Sequence, residues 1–229
     1  MTTWDMVVVG MDGCREGWIA VVWRDERVDV HWWSSIDVLG REVPDAEAVA
    51  IDIPLGLSRS GERRCDQLAR QRLRGRASTV FNAPPRACLE SVEYDSANEL
   101  SRRHGAKGLS RQSFGLLPKI REVDAFWRSA PCALYEVHPE LSFARLNGGV
   151  ALASKKSWEG VLSRRAALAG VGISLDGFRG APARRASPDD VLDAGVCAWT
   201  ARHIILDQVQ RLPDPPEVDA TGREMCIRV

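Results

Sequence analysis

The sequence predicts an α/β fold, a mixed five-stranded sheet flanked by helices, with a helical insertion at about 55–131 between the fourth and fifth strands. Three observations predict it. Apolar runs ending in a carboxylate occur three times, at residues 6–12, 48–52 and 133–136. The early segments read strand, strand, strand, short helix, strand. The stretch from 55 to 131 then carries helical patterns and no clear strand.

Residues 6–12 are apolar on both faces, as in a central strand covered on two sides. Gly13 and Gly17 bracket a short turn, and 18–23 is a second strand. Asp25-Glu26 connects it tightly to a third, 28–33, whose alternation places it at or near an edge. Ser34 or Ser35 caps a short helix through Leu39. Residues 48–53 form the fourth strand, which Pro54 stops. Helices fit 62–73, 95–104 and 110–128 within the insertion. Ala133–Val137 is the fifth strand. Further helices fit 141–146 and 156–169, followed by a Gly-, Pro- and Arg-rich loop at 177–185. A last helix opens at Ser187-Pro188 and runs to about Leu212, 213–223 reads as loop, and 225–229 as a short terminal strand. Three meandering strands followed by crossover connections put the first strand in the centre, with the fourth and fifth parallel beside it. Functional groups gather at the carboxyl ends of such strands, which is where Asp12, Asp52 and Glu136 stand.

An acid ending an apolar strand is costly unless something uses its charge. Asp190 and Asp193 add a fourth acidic element, three apart on one face of the last helix. Carboxylates brought this close need a counter-charge, and divalent magnesium or manganese supplies it through oxygen ligands. Two such ions roughly 3.5–4 Å apart suit phosphodiester hydrolysis. Asp190 also completes a capping box with Ser187 as the cap, and Asp12 before Gly13 has an alternative reading as a turn residue.

The segment Gly10-Met11-Asp12-Gly13-Cys14-Arg15-Glu16-Gly17-Trp18-Ile19 resembles the opening motif of domain-of-unknown-function family 429, predicted nucleases with an RNase H-like fold. Similar blocks run along the chain: Ile51-Asp52-Ile53-Pro54, Pro84-Pro85-Arg86, Pro118-Lys119-Ile120-Arg121, Glu136-Val137-His138-Pro139-Glu140, Ser154-Lys155-Lys156-Ser157 and Asp189-Asp190-Val191-Leu192-Asp193-Ala194. Asp190-x-x-Asp193-Ala194 is also similar to the final-helix acids of RuvC-type resolvases. The resemblance implies a single RNase H-like domain over 1–229 and metal-dependent nuclease activity. Combined with the reading of the acids, it gives catalytic Asp12, Asp52, Glu136, Asp190 and Asp193, with Asp12, Asp52 and Asp193 holding Mg²⁺ or Mn²⁺, two ions in all.

Several other groups are candidates for substrate binding. His138 shares a strand face with Glu136 and has a phosphate-contact or a structural reading; Glu140 reads as a cap for the helix that follows. Lys119 sits on an insertion helix, either touching phosphate or paired with Glu122. Residues 63–76 hold six arginines against one aspartate. With Arg86 beyond it, this stretch, Arg76 included, reads as a wall tracking a phosphate backbone, or as a solvated helix face. Lys155-Lys156 and Arg164-Arg165 extend it. The many tryptophans read chiefly as core packing.

Lys plus Arg and Asp plus Glu are equal at 31 each, so the formal charge is zero, which argues against a general duplex-coating protein. The six cysteines include no C-x-x-C pair, which argues against a disulfide framework or a structural zinc site and fits free thiols in the cytoplasm. The N-terminus shows no signal peptide, and no stretch approaches the ~18 apolar residues of a membrane span. The reading is a divalent-metal-dependent nuclease acting on nucleic acid, with no membrane partner and an oligomeric state left open, homodimer included. The rivals are a non-catalytic RNase H-like binding or regulatory domain, an actin-like phosphotransferase suggested by Gly10-x-Asp12-Gly13, and a thiol hydrolase using Cys14.

Overall fold

The computed structural model describes residues 6–229; the expectation of no signal peptide falls partly on residues outside that range. The fold is α/β. Its strands are β1 Val7–Cys14, β2 Gly17–Arg24, β3 Arg27–Trp33, β4 Ala48–Ile51, β5 Ala133–Val137, β6 Arg211–Val218 and β7 Glu224–Arg228. Its helices are α1 Leu39–Glu42, α2 Arg64–Arg72, α3 Tyr94–Arg103, α4 Arg111–Gly115, α5 Leu117–Phe126, α6 Pro139–Leu146, α7 Trp158–Gly170, α8 Gly180–Ala183 and α9 Pro188–Ile205. The chain folds as two compact units: one runs to Asp52 and resumes over Phe126–Val209 and Arg228–Val229, the other comprises Ile53–Ala125 and Gln210–Ile227.

In the first unit the strands lie in the order β3-β2-β1-β4-β5. The pairs β1–β2 and β2–β3 are antiparallel, and β1–β4 and β4–β5 are parallel. Arg24 pairs with Arg27 across the turn, with Asp25 in the left-handed region at φ 47°. The parallel register matches Met11 with Ile51 and Ile51 with Glu136. Side chains alternate across a strand, so Gly10 and Asp12 of β1 share a face with Ala50, and Asp52 continues that face beyond the end of β4. Glu136, level with Ile51, points to the other face.

Helix α9 covers the first of these faces. It packs on β1, β2 and β4, and every residue from Leu192 to Ala201 is buried. A helix buried all round needs small side chains to approach a sheet closely, and α9 supplies Ala194 and Ala198 against β1. Gly10 makes the matching concession: a Cβ there would lie 2.0 Å from the Ala198 nitrogen and 2.2 Å from the Ala194 carbonyl oxygen. The apolar core of this unit includes Val8, Ile19, Ala48, Ala50, Val137 and Phe143.

The second unit holds α2 to α4, nearly all of α5, β6, and β7 up to Ile227, with a small core around Cys88, Ala97, Leu109 and Leu117. Its polar centre is Asp219, which accepts from the backbone N–H of Leu57 at 2.9 Å, from Thr221 Oγ1 at 2.7 Å and from the Arg86 guanidinium at 2.7 Å.

Four expectations are corrected. Seven strands are present where five were expected. The segment 211–218 is strand β6, not helix end and loop. Its three prolines cannot donate to a ladder, which hides a strand in sequence, but β6 lies at the edge of the sheet order, where such residues are tolerated. The last helix therefore stops at Ile205 rather than near Leu212, and Asp207 leaves it in the left-handed region at φ 52°. The helix expected over 110–128 is split into α4 and α5 around Leu116. No helix among the described residues is long and apolar enough to cross a membrane.

Candidate metal centre

The face shared by β1, β4 and α9 carries three acids. Asp12 lies near the end of β1, Asp52 directly follows β4, and Asp193 is one turn into α9. One carboxylate oxygen from each lies within 4.8 Å of the others. The backbone fixes this convergence: the Asp52 N–H donates to the Met11 carbonyl at 3.0 Å, continuing the parallel ladder one step past β4 and holding Asp52 beside Asp12. Asp12 and Asp52 are partly exposed, and Asp193 is buried at 1% exposure.

Lys155 enters the cluster from the segment between α6 and α7. Its Nζ lies 2.6 Å from Asp193 Oδ2 and 3.7 Å from Asp189. The other Asp193 oxygen, Oδ1, is buried without a hydrogen-bond partner. Such a group is costly to leave unmatched.

The electrostatics follow from crowding. Burial, then the charges of Asp52, Asp193 and Asp190, push the Asp12 carboxyl well above the usual range, and Lys155 pulls it back only in part. Burial raises Asp52 to about 7, with Glu140 adding to it against the pull of Lys155. Burial and the Asp52 charge raise Asp193 to about 7, again against Lys155. For Lys155 burial works against the ammonium, but the carboxylates of Asp193, Asp52 and Asp12 win and raise it above its ordinary value. A site that holds protons this firmly is short of positive charge. An all-carboxylate donor set with one unmatched buried oxygen fits a hard divalent cation such as Mg²⁺ or Mn²⁺.

Asp190 serves two purposes. Its Oδ2 accepts from the Ser187 N–H at 2.9 Å and its own N–H donates to Ser187 Oγ at 3.3 Å, completing the expected capping box. Its charge is also felt by Asp12.

Glu136 departs from the expected set. It is buried in β5 on the face opposite Asp52 and lies outside the group formed by Asp12, Asp52 and Asp193. The cause is register: an acid one residue earlier in its strand than Asp52 projects the other way. The further carboxylate that acts on Asp52 and Asp193 is Glu140, in the first turn of α6. Sequence reasoning gave Glu140 a capping role. Its side chain instead lies 2.6 Å from Arg164, a fully buried arginine on α7. Lys155 was read as an extension of a basic wall and as part of a block resembling the family, with no role assigned among the acids. The signal for it was a lysine in a short Ser- and Lys-rich turn before a helix cap, which is too common to single out.

The expected substrate-binding residues scatter. His138 is the residue preceding α6, at its N-cap. Lys119 is on α5 of the second unit, 3.9 Å from Glu122, and Arg76 precedes a short 3₁₀ turn there. Arg86 is corrected from a phosphate contact to an ion-pair hub. Its guanidinium donates to both oxygens of Asp124, at 2.8 and 3.0 Å, and to Asp219. In the basic stretch, Arg63 is buried and paired with Asp66 at 2.6 Å, and Arg70 with Glu62 at 3.2 Å. Arg64, Arg72 and Arg74 are exposed. Cys14, the candidate thiol nucleophile, is buried in the apolar core, where a thiol is inert.

A model of the family described as "Protein of unknown function (DUF429)" matches residues 10–218. A search of solved structures matches T. thermophilus RuvC in complex with a Holliday junction substrate, at 18% identity and a TM-score of 0.36, over 89% of this chain and 95% of that one. No curated protein matches.

Proposed function

The chain belongs to the DUF429 family of proteins of unknown function, and on that footing we propose that it is an RNase H-like, divalent-metal-dependent nuclease hydrolysing phosphodiester bonds of nucleic acid. The observation that carries this reading is the convergence of Asp12, Asp52 and Asp193 oxygens within 4.8 Å, with Asp193 Oδ1 buried and unmatched. Isolated buried carboxylates are expensive, and three from separate elements on one sheet face are hard to account for as a by-product of packing.

In this reading Asp12, Asp52 and Asp193 hold Mg²⁺ or Mn²⁺, which when bound supplies Lewis-acid stabilisation of charge on the phosphate and acidifies water. Asp190, oriented by its bond to Ser187, orients the attacking water. Lys155 keeps Asp193 fixed while the site fills. Arg15, exposed in the turn after Asp12-Gly13, and Lys156, exposed beside Lys155, put positive charge near the acids for a phosphate backbone. Trp158, 75% exposed and three residues from Lys155, offers a face on which a base stacks. His138, Lys119 and Arg76 remain proposed phosphate contacts.

The test is cleavage by purified protein of RNA, DNA, hybrid and branched substrates with Mn²⁺ or Mg²⁺. The expected result is metal-dependent cleavage that drops to background in Asp12→Asn. Equal cleavage by the variant identifies a contaminant and removes the proposal.

The position of Lys155 favours a second reading, a non-catalytic binding domain whose acids are already partly neutralised from within. Calorimetric titration with Mn²⁺ together with the cleavage assay separates the two: the binding domain takes up one structural ion or none and does not cleave, whereas the nuclease binds Mn²⁺ saturably and cleaves.

A further inference from the structure

We infer that the Lys155 ammonium occupies a cation position that would otherwise take a divalent ion, so that the centre loads with one ion fewer than its carboxylates could hold. This rests on the metal-centre reading above and goes beyond it by assigning the stoichiometry to one residue.

The geometry of Asp193 is the first argument. Its two oxygens are treated differently: Oδ2 is taken by Lys155 Nζ at 2.6 Å, and Oδ1 is buried and unmatched. A carboxylate bridging two ions uses both oxygens, whereas here one already has a permanent cation. Charge is the second argument. The Lys155 ammonium already lies against two acids of this region, 2.6 Å from Asp193 and 3.7 Å from Asp189, so a second divalent ion placed there would meet its repulsion at short range.

The third argument is that Lys155 is held in place by its surroundings. The guanidinium of Arg164, itself 0% exposed, donates from Nη1 to the Ala153 carbonyl at 2.6 Å and to the Gly160 carbonyl at 3.1 Å, and from Nη2 to Glu140 at 2.6 Å. Ser157 Oγ donates to the Ser154 carbonyl at 2.7 Å and accepts from the Gly160 N–H at 3.1 Å, capping α7. Gly160 lies so close to this turn that a Cβ would stand 1.9 Å from the Ser154 carbonyl oxygen. Residues 153–157 are thus fixed from both sides, and the four methylenes of Lys155 have only to span from a fixed point to Asp193.

The experiment titrates metal-free full-length protein with Mn²⁺ by calorimetry and records electron paramagnetic resonance spectra at saturation, for wild type, Lys155→Met and the charge-keeping Lys155→Arg. The expected result is one additional ion per chain in Lys155→Met, with the spectrum of an exchange-coupled pair, and the wild-type count in Lys155→Arg. Equal, non-zero binding with the same spectrum in wild type and Lys155→Met overturns the inference and leaves the metal centre standing. Absence of binding in all three overturns both. Lys155→Gln repeats the comparison if Lys155→Met melts below the working temperature.

Discussion

Asp52 and Asp193 keep their protons up to a pH of about 7, while an unfolded-chain aspartate releases its proton near 3.9. Between those values the folded protein binds more protons than the unfolded one, so these two groups withdraw stability as pH rises. Asp219 acts in the opposite sense, since it is held below the usual range, and its contribution is lost only as pH falls through and below about 4. Thermal melts in chelator between pH 5 and 7.5 therefore isolate the raised pair when wild type is compared with Asp193→Asn, which lacks one titrating group; His203 is common to both. The wild-type melting temperature should fall relative to the variant as pH rises, and saturating Mn²⁺ should abolish the fall. A difference that stays flat in chelator would mean the acids are not crowded. Legibility at this scale divided by register. Asp12, Asp52 and Asp193 were readable because each ends or enters an apolar element, where a charge needs a reason. Glu136 met the same criterion but lies outside the group of Asp12, Asp52 and Asp193, because an acid one step out of phase in a parallel strand has the same sequence signature as one in phase. Glu140 and Lys155 were invisible in their roles, since a first-turn glutamate and a loop lysine have cheaper explanations.

The contact between β1 and α9 is what places Asp193 over Asp12, and Gly10 permits it. Gly10→Ala would drive a methyl into backbone atoms of Ala194 and Ala198, which cannot swing aside as a flexible side chain could. The helix must lift from the sheet, at a cost of about 1–3 kcal/mol in the manner of overpacked cores. The acids separate with it, so the variant should lose Mn²⁺ affinity by more than its loss of stability explains. Chemical denaturation and calorimetry on the same preparation check this; unchanged affinity with reduced stability would show that α9 does not set the spacing. The strands β1, β2, β4 and β5 were legible from their largely apolar runs, and β3 from the alternation of apolar and polar residues. The end of α9 was not, because Ile204, Ile205 and Leu206 continue a helical pattern up to Asp207, where the chain turns. Strand β6 was not, because its prolines are informative only once its edge position is known.

At the scale of the whole chain, a minority of the charge is buried, and much of that is paired. Arg63, Arg70, Arg86 and Arg164 are each matched with acids within their own unit, so these four are not free to contact a substrate. Arg86 illustrates the energetics: it meets Asp219, whose side chain is 0% exposed, and removing the arginine leaves that carboxylate without its cation. Arg86→Ala should cost about 3–5 kcal/mol, as breaking buried pairs does, read as a shift in the denaturation midpoint. A cost under about 1 kcal/mol would return Arg86 to the surface residues available for substrate. In the basic stretch Arg63 and Arg70 are paired and Arg76 is half-buried, while Arg64, Arg72 and Arg74 are exposed, and the exposed three can be tested as a group for nucleic-acid binding. Each phosphate neutralised on duplex DNA contributes a slope of about −0.9 in log affinity against log salt concentration, so three arginines contribute no more than about −2.7. Alanine at all three positions should flatten the measured slope by up to that amount without altering Mn²⁺ binding, whose ligands lie elsewhere. Fluorescence anisotropy of a labelled duplex across a salt series, in chelator to prevent cleavage, measures it. An unchanged slope in the triple variant would make these three a solvated helix face and shift the phosphate contacts to other residues, with Arg76, Arg15 and Lys156 the next to substitute.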